Sequence, residues 1–121
     1  ATPQEADEIL AEDLAAPQVA LLSAPGGDGR ALRLELRGEL TAPGAAAGLR
    51  SLLDLWQAHP QAGSLELDLG RLFALDSGGT ATLLELRQAV RRRPGADLSL
   101  RGASPDVRDV LERSAPELLA G

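Results

Sequence analysis

A short segment that combines an acid, a hydroxyl and two glycines is the best candidate in this chain for a functional site. Asp76 and Ser77 precede Gly78 and Gly79, and an apolar helical pattern follows them. Glycine is a poor choice inside a helix, so the pair needs a reason. One reason is local geometry or close packing of the helix. The other is access, because a first turn without side chains lets another protein or a nucleotide approach Ser77.

Phosphorylation is the chemistry that this arrangement suits. A phosphate on Ser77 would add about −1.5 to −2 charge at neutral pH. Free N–H groups at the start of the helix would favour that charge, Asp76 would oppose it, and an apolar partner surface docked there would be repelled. With a phosphate at Ser77, the segment would work as a binding switch.

The composition leaves little material for catalysis. The chain has 121 residues, no Cys and a single His, and all 12 basic residues are Arg. Thiolate nucleophiles and Cys-ligated zinc are excluded, and imidazole-based triads and metal sites lack enough ligands. An enzyme that used Asp76 and Ser77 would have no convergent base. We expect a non-catalytic protein without a metal or another cofactor.

Three other groups of polar residues favour structural interpretations. Glu66 and Asp68 alternate with leucines, which is typical of a solvent-exposed face of a strand rather than a catalytic dyad. His59 and the arginine run 91–93 fall at the ends of predicted helices, where the helix dipole stabilises a positive charge. The chain has one Trp, one Phe and a nearly neutral charge outside its N-terminal segment. We therefore expect no nucleic-acid binding.

The N-terminal segment differs in charge from the rest of the chain. Residues 1–17 contain five acids and no base, which is most of the formal net charge of −6. A capping box at Thr2–Glu5 and a stripe of apolar residues at helical spacing predict an acidic amphipathic helix. That helix could pack on its own domain or dock on a partner. The missing Met indicates a module cut from a larger chain, and we divide it into the helix, 1–17, and a folded domain, 18–121.

The folded domain alternates strands and helices. The predicted order is β-β-α-β-α-β-α, with strands near residues 19–22, 32–36, 65–69 and 98–100, helices near 44–59 and 77–92, and a third helix capped by Ser104. A glycine-rich turn at 24–29 joins the first two strands, and residues 70–74 are predicted to be irregular. The polar positions of the strands share one face, so the helices should cover only the other face of a two-layer α/β domain.

Several of these segments, in this order, resemble the STAS family, named for sulfate transporters and anti-sigma-factor antagonists. The resemblance covers about residues 19–119 and depends on four segments: residues 36–40, 65–69, 76–79 and 100–105. It implies a mixed β-sheet with helices on one face. It also implies a non-catalytic domain that docks through its second helix and the preceding loop, under control of a phosphorylated Ser or Thr. By this match Ser77 is the candidate phosphorylation site, and the implied partner-binding residues are Asp76, Ser77, Gly78, Gly79 and Thr80. Many members carry a second hydroxyl residue at the position of Gly78, and this chain lacks it.

The resemblance leaves two functions open. The first is the cytosolic module of a larger membrane assembly, such as an Mla-like ABC permease for lipids or an anion transporter, with a transporter subunit as protein partner. The alternative is a free-standing anti-sigma-factor antagonist, switched off when an anti-sigma kinase phosphorylates Ser77. In both cases we expect a cytoplasmic location. No apolar run reaches the roughly 20 residues of a membrane span, so we expect membrane contact only through the rest of a larger chain or complex.

Overall fold

A computed structural model describes residues 16–24 and 30–119 of the chain. The predicted N-terminal helix, apart from Ala16 and Pro17, lies outside the described residues. So does the predicted glycine-rich turn, apart from Ala24. The described residues form one sheet with helices packed on it, in the element order that the sequence predicted.

The sheet has four strands in the spatial order β1-β2-β3-β4. The strands are β1 (Gln18–Ser23), β2 (Ala31–Leu40), β3 (Ser64–Leu75) and β4 (Leu98–Arg101). β1 runs antiparallel to β2, whereas β2, β3 and β4 are parallel to one another. Each parallel connection passes through a helix, as a crossover requires. The sheet is therefore mixed, as the family resemblance implied.

Three helices and one short turn follow the strands. They are α1 (Ala42–Gln57), α2 (Ser77–Arg91), α3 (Pro105–Ser114) and a single 3₁₀ turn (Pro116–Leu118). α1 starts two residues before its predicted position because Pro43 falls in its first turn, where proline is tolerated. Ser104 caps α3 as predicted: its hydroxyl accepts a hydrogen bond from the N–H of Val107.

The helices pack on the leucine face of the sheet. Alternate leucines of β2 and β3 are fully buried there, among them Leu32, Leu34, Leu65 and Leu67. Trp56 of α1 is only 3% exposed, as predicted. Because nearly all of the buried side chains are aliphatic, the core is held by area burial rather than by aromatic stacking.

The opposite face of the sheet carries charges. Glu66 forms ion pairs with Arg33 on β2 and Arg101 on β4, and Glu35 pairs with Arg37. Arg33 and Glu66 are direct cross-strand neighbours. These contacts confirm the prediction that the polar positions of the strands share one face. Single ion pairs of this kind contribute little to stability because water competes for them.

The prediction that residues 70–74 are irregular is wrong. β3 continues through them to Leu75, and Arg71, Leu72 and Ala74 all pair with β2. Two register shifts interrupt this pairing. Each shift breaks the alternation of buried and exposed side chains. Beyond Leu69, apolar residues therefore no longer occupy every second position, which is the pattern that identifies a strand in the sequence. Phe73 lies at the second shift and is 69% exposed.

Candidate functional site

Asp76 joins the end of β3 directly to the start of α2. The sequence predicted a loop at this point, but none intervenes, because β3 runs to Leu75 and α2 begins at Ser77. Asp76 has an extended backbone and is the N-cap residue of α2. Its Oδ1 accepts a hydrogen bond of 2.8 Å from the N–H of Gly79. This contact satisfies one of the N–H groups that a helix start leaves without a partner.

The second carboxylate oxygen of Asp76 reaches the other helix. Oδ2 accepts a hydrogen bond of 2.9 Å from the N–H of Ala42, the first residue of α1. The hydrogen bonds from Ala42 and Gly79 lower the pKa of Asp76. The carboxylate is therefore charged at neutral pH and lies at the positive ends of two helix dipoles. One side chain thus fixes the starts of α1 and α2 relative to each other.

The two glycines after Ser77 are explained by close packing. A methyl group at Gly79 would lie far inside the van der Waals distance of the Leu40 carbonyl oxygen and 2.8 Å from Cδ1 of Leu75. At Gly78 it would lie 3.1 Å from Cα of Ala42. Of the two reasons that the sequence offered, the geometry supports packing: the first turn of α2 rests on the end of β2 and the start of α1.

The threonines of α2 point into the domain. Thr80 is 2% exposed and its hydroxyl donates to the backbone oxygen of Asp76 at 3.0 Å. Thr82 is 6% exposed and its hydroxyl donates to the oxygen of Gly78 at 3.1 Å. Neither hydroxyl is presented to solvent, so neither replaces the second hydroxyl that this chain lacks at Gly78.

The five residues predicted to bind a partner therefore lie within one helical turn but differ in exposure. Ser77 is exposed, Asp76 and Gly78 are half-buried, and Gly79 and Thr80 are buried. Their part in partner binding stays a prediction. In the structure, Gly79 and Thr80 pack the helix onto the sheet, and Ser77 is the residue of the five whose side chain is open to another protein.

Small apolar residues surround Ser77. Ala42 and Pro43 at the start of α1 and Ala81, one turn further along α2, are all exposed. An apolar surface around a hydroxyl suits protein binding that a phosphate would oppose.

A second charged side chain, Arg93, joins α1 and α2 at their other ends. Its guanidinium lies 3.6 Å from the centroid of the Trp56 ring. It donates hydrogen bonds of 2.9 to 3.3 Å to the backbone oxygens of Trp56, His59 and Ala62. Sequence reasoning placed the arginine run 91–93 at a helix end, which is correct. It missed that Arg93 caps the C-terminus of the neighbouring helix.

His59 has a structural environment. It is half-buried, and its Nδ1 lies 2.7 Å from the backbone oxygen of Leu55, which implies an N–H at that position. Within residues 16–24 and 30–119, no cluster of three or more His, Cys, Asp or Glu residues is placed to hold a metal ion. In the same part of the chain, no helix has the length and apolar character needed to cross a membrane.

Two solved structures have a similar fold. The anti-sigma factor antagonist SpoIIAA, in its unphosphorylated form, matches with a TM-score of 0.58 and 19% identity over 85% of this chain and 82% of that chain. A sulfate transporter family protein from Wolinella succinogenes matches with a TM-score of 0.59 and 24% identity over 79% and 75%. At these identities the likeness concerns the fold alone.

The sequence itself also matches a known family. No curated protein matches this chain. A family model described as "Mlab, STAS domain" matches residues 23–116, which include every described strand and helix apart from most of β1 and the end of the 3₁₀ turn. With the mixed sheet, the one-sided helix layer and the Asp76 junction, this match shows that the chain belongs to the STAS domain family.

Proposed function

We propose that this domain regulates a larger assembly by binding a partner protein through the surface around Ser77, without catalysis. STAS domains are a regulatory and protein-interaction fold, found in anti-sigma-factor antagonists and in transporter cytosolic domains. The observation that carries the proposal is the exposed hydroxyl of Ser77 at the first residue of α2, amid exposed Ala42, Pro43 and Ala81. The hydrogen bonds that Asp76 accepts from Ala42 and Gly79 fix the helix starts that carry this surface, so binding requires little ordering.

Phosphorylation of Ser77 would act mainly by repulsion. The sequence suggested that free N–H groups at the helix start would favour a phosphate. Two of the amides at this end, those of Ala42 and Gly79, already donate to Asp76. The new charge would therefore meet a charged carboxylate and an apolar surface, which favours release of a bound partner.

The partner that we favour is a subunit of an ABC-type lipid or anion transporter. Two findings support this choice: the family description names Mlab, and a sulfate transporter family protein has the same fold. The residue after Ser77 also supports it, because Gly78 removes the second hydroxyl on which many phosphorylation-controlled members depend. In this assignment the domain lies on the cytoplasmic side of the membrane, in contact with the transporter.

The alternative is an anti-sigma-factor antagonist. The structural likeness to SpoIIAA and the exposed hydroxyl of Ser77 favour it. Its partner would be an anti-sigma kinase that binds the same surface and then phosphorylates Ser77. The two functions share the docking surface and differ in the partner and in whether Ser77 is modified.

Binding measurements with both kinds of partner test the proposal. The domain is titrated with the transporter subunit and with the anti-sigma kinase encoded in the same genome, using Ser77→Ala and Ser77→Glu variants. We expect Ser77→Glu to weaken binding by about tenfold or more, because a charge faces an apolar interface, and Ser77→Ala to change it by less than about twofold.

Ser114→Glu is the matched control, since Ser114 is an exposed serine at the end of α3. It should leave the affinity unchanged. Mass spectrometry after incubation with the kinase and ATP separates the two functions: phosphate on Ser77 supports the antagonist, and its absence supports the transporter module. If all three variants bind both partners like the unmodified domain, the docking surface lies elsewhere.

A further inference from the structure

We propose that the last part of β3, residues 71–75, is a docking edge for an extended peptide segment of a partner protein. The segment adds a strand to the sheet and carries an acidic residue and an apolar residue two positions apart. Three observations support this docking edge: a strand side that β4 does not reach, a cation without an ion pair, and an exposed aromatic ring. None of them involves Ser77, so the proposal does not depend on the function proposed above.

β3 is longer than the strand beside it. β4 ends at Arg101, which pairs with Asp68, and no described strand pairs with β3 on that side beyond this point. The chain turns at Gly102, whose φ is +73°, and leads into α3. Residues 71–75 pair with β2 on their other side only. They leave an open edge about 16 Å long, at which an extended peptide can add a strand.

The cation on this edge is Arg71. It pairs across the strands with Arg37, so both guanidinium groups lie on the charged face of the sheet, where like charges oppose each other. Arg37 has Glu35 as an ion-pair partner, whereas no carboxylate of the described residues pairs with Arg71. The nearby Glu39 is on β2, across β3 from the open edge. A carboxylate on an added strand would therefore neutralise the exposed Arg71.

The aromatic ring is that of Phe73, the single phenylalanine of the chain. Its two neighbours along β3 pair with consecutive residues of β2, so Phe73 is the extra residue of a bulge. The side chain is 69% exposed, while that of Leu72 before it is buried. Because successive side chains of a strand alternate, Phe73 lies on the same face as Arg71. Bulges redirect side chains beside functional sites, and aromatic rings are enriched in protein interfaces.

The spacing of these two side chains determines the pattern that an added strand must have. Arg71 and Phe73 are two residues apart on one face, and their cross-strand neighbours on an added strand are also two residues apart. An acidic residue beside Arg71 and an apolar residue beside Phe73 give the pattern acid-x-apolar, read in either direction. The docking edge of a second copy does not offer this pattern, because residues 71–75 contain no acidic residue. The occupant is therefore a different protein.

Nuclear magnetic resonance with a peptide probe tests the proposal. The probe is an eight-residue peptide with blocked ends, made of threonines with one glutamate and one valine two positions apart. The control peptide has lysine in place of the glutamate. We expect the probe to shift the backbone amide signals of residues 71–75 and to saturate below about 5 mM, and the control peptide to bind about tenfold more weakly or worse. No saturable shifts at these residues, or equal binding of the two peptides, would overturn the proposal.

Three variants of the domain locate the contact. Arg71→Glu should weaken binding of the glutamate peptide about tenfold or more, and Phe73→Ser should weaken it about threefold or more. Arg92→Glu is the matched control, because it makes the same change of charge at the exposed C-cap residue of α2. It should leave binding unchanged, and the fluorescence of Trp56 verifies that each variant is folded.

Two further outcomes would contradict the docking edge. Equal weakening by Arg71→Glu and Arg92→Glu would show that the peptide responds to net charge alone. Shifts at residues 71–75 that depend on the concentration of the domain without peptide would show that the edge pairs with a second copy instead.

Discussion

Asp76 and Arg93 have the same structural role at opposite ends of the pair formed by α1 and α2. Asp76 accepts hydrogen bonds from backbone N–H groups at the starts of both helices. Arg93, just beyond the end of α2, donates to the backbone oxygen of Trp56 in the last turn of α1 and to those of His59 and Ala62 in the turn that follows. Each charge thus complements the helix dipoles at its own end.

The two ends differ in what they leave open. The guanidinium of Arg93 is stacked on Trp56 and surrounded by the carbonyls that it binds, so its donors are engaged within the domain. Beside Asp76, by contrast, the hydroxyl of Ser77 is exposed, and Ala42 and Pro43 are exposed near it. We call Arg93 and the groups that it binds the closed clamp, and Asp76 with the N–H groups of Ala42 and Gly79 the open clamp. Beside the open clamp, a change of charge can reach a partner protein.

The largest loss of stability should come from a methyl group added beneath the first turn of α2. Gly79→Ala forces a methyl group into the backbone oxygen of Leu40, which cannot move aside as a flexible side chain can. We expect a loss of about 3 kcal/mol or more in the free energy of unfolding, measured by urea denaturation with Trp56 fluorescence. Gly78→Ala, whose methyl would meet Ala42 at 3.1 Å, should cost about 1 kcal/mol. Equal small losses for both would show that packing does not explain Gly79.

Removal of the closed clamp should have the next largest effect. Arg93→Ala leaves three backbone oxygens without their donor and removes the contact with the Trp56 ring. We expect a loss of about 2 to 3 kcal/mol together with a shift in the fluorescence of Trp56. The neighbouring Arg92 is exposed, so Arg92→Ala should change stability by less than about 0.5 kcal/mol. If both variants lose the same amount, the clamp is an effect of charge alone.

Removal of the open clamp should cost somewhat less. Asp76→Ala deprives Ala42 and Gly79 of their acceptor, and we expect a loss of about 1 to 2 kcal/mol. Asp76→Asn keeps one acceptor oxygen for two N–H groups and should cost about 1 kcal/mol. A loss confined to the alanine variant would show that one of the two hydrogen bonds is dispensable.

The stability that the open clamp contributes should also depend on pH and should fall in acid. The pKa of Asp76 is lower in the folded protein than in the unfolded chain, because backbone N–H groups stabilise its charge. The carboxylate therefore stabilises the fold above the unfolded pKa of about 3.9, and that contribution is lost as the pH falls through the lower folded pKa. The stability difference between the unmodified domain and Asp76→Asn should be constant from about pH 5 to 7 and shrink below about pH 4. A difference that does not change with pH would contradict the role of the charge.

The smallest change in stability is expected for a residue outside both clamps. Glu66 lies on the charged face of the sheet with Arg33 and Arg101, and Glu66→Ala should cost about 0 to 1 kcal/mol because solvent screens these pairs. A loss of several kcal/mol would mean that this face is covered in the folded protein, and that charge pairs there are as important as the two clamps.

Features that depend on local spacing were predictable from the sequence. The order of strands and helices, the cap at Ser104, the buried Trp56 and the helix start at Ser77 follow from periodicity and capping residues within a few positions. The family resemblance rested on the same local segments. The family match over residues 23–116 agrees with it.

Features that depend on residues far apart in the chain were not predictable. The packing of Gly79 requires the position of Leu40, and the role of Arg93 requires three carbonyls more than 30 residues earlier. The length of β3 depends on two register shifts against β2, which remove the alternation that marks a strand. Only the assembled sheet brings these groups together.

Photocrosslinking from the two ends of the helix pair tests the central claim most directly. A photoreactive amino acid is placed at Ala81, beside Ser77, or at Arg92, beside the closed clamp; both residues are exposed. The variants are irradiated in the native cell, and the attached proteins are identified by mass spectrometry. We predict that one defined partner, a transporter subunit or an anti-sigma kinase, is captured from position 81. Its capture should be lost when Ser77→Glu is added, and position 92 should give no such product. Capture of that partner from position 92 alone, or from position 81 regardless of Ser77→Glu, would contradict the account.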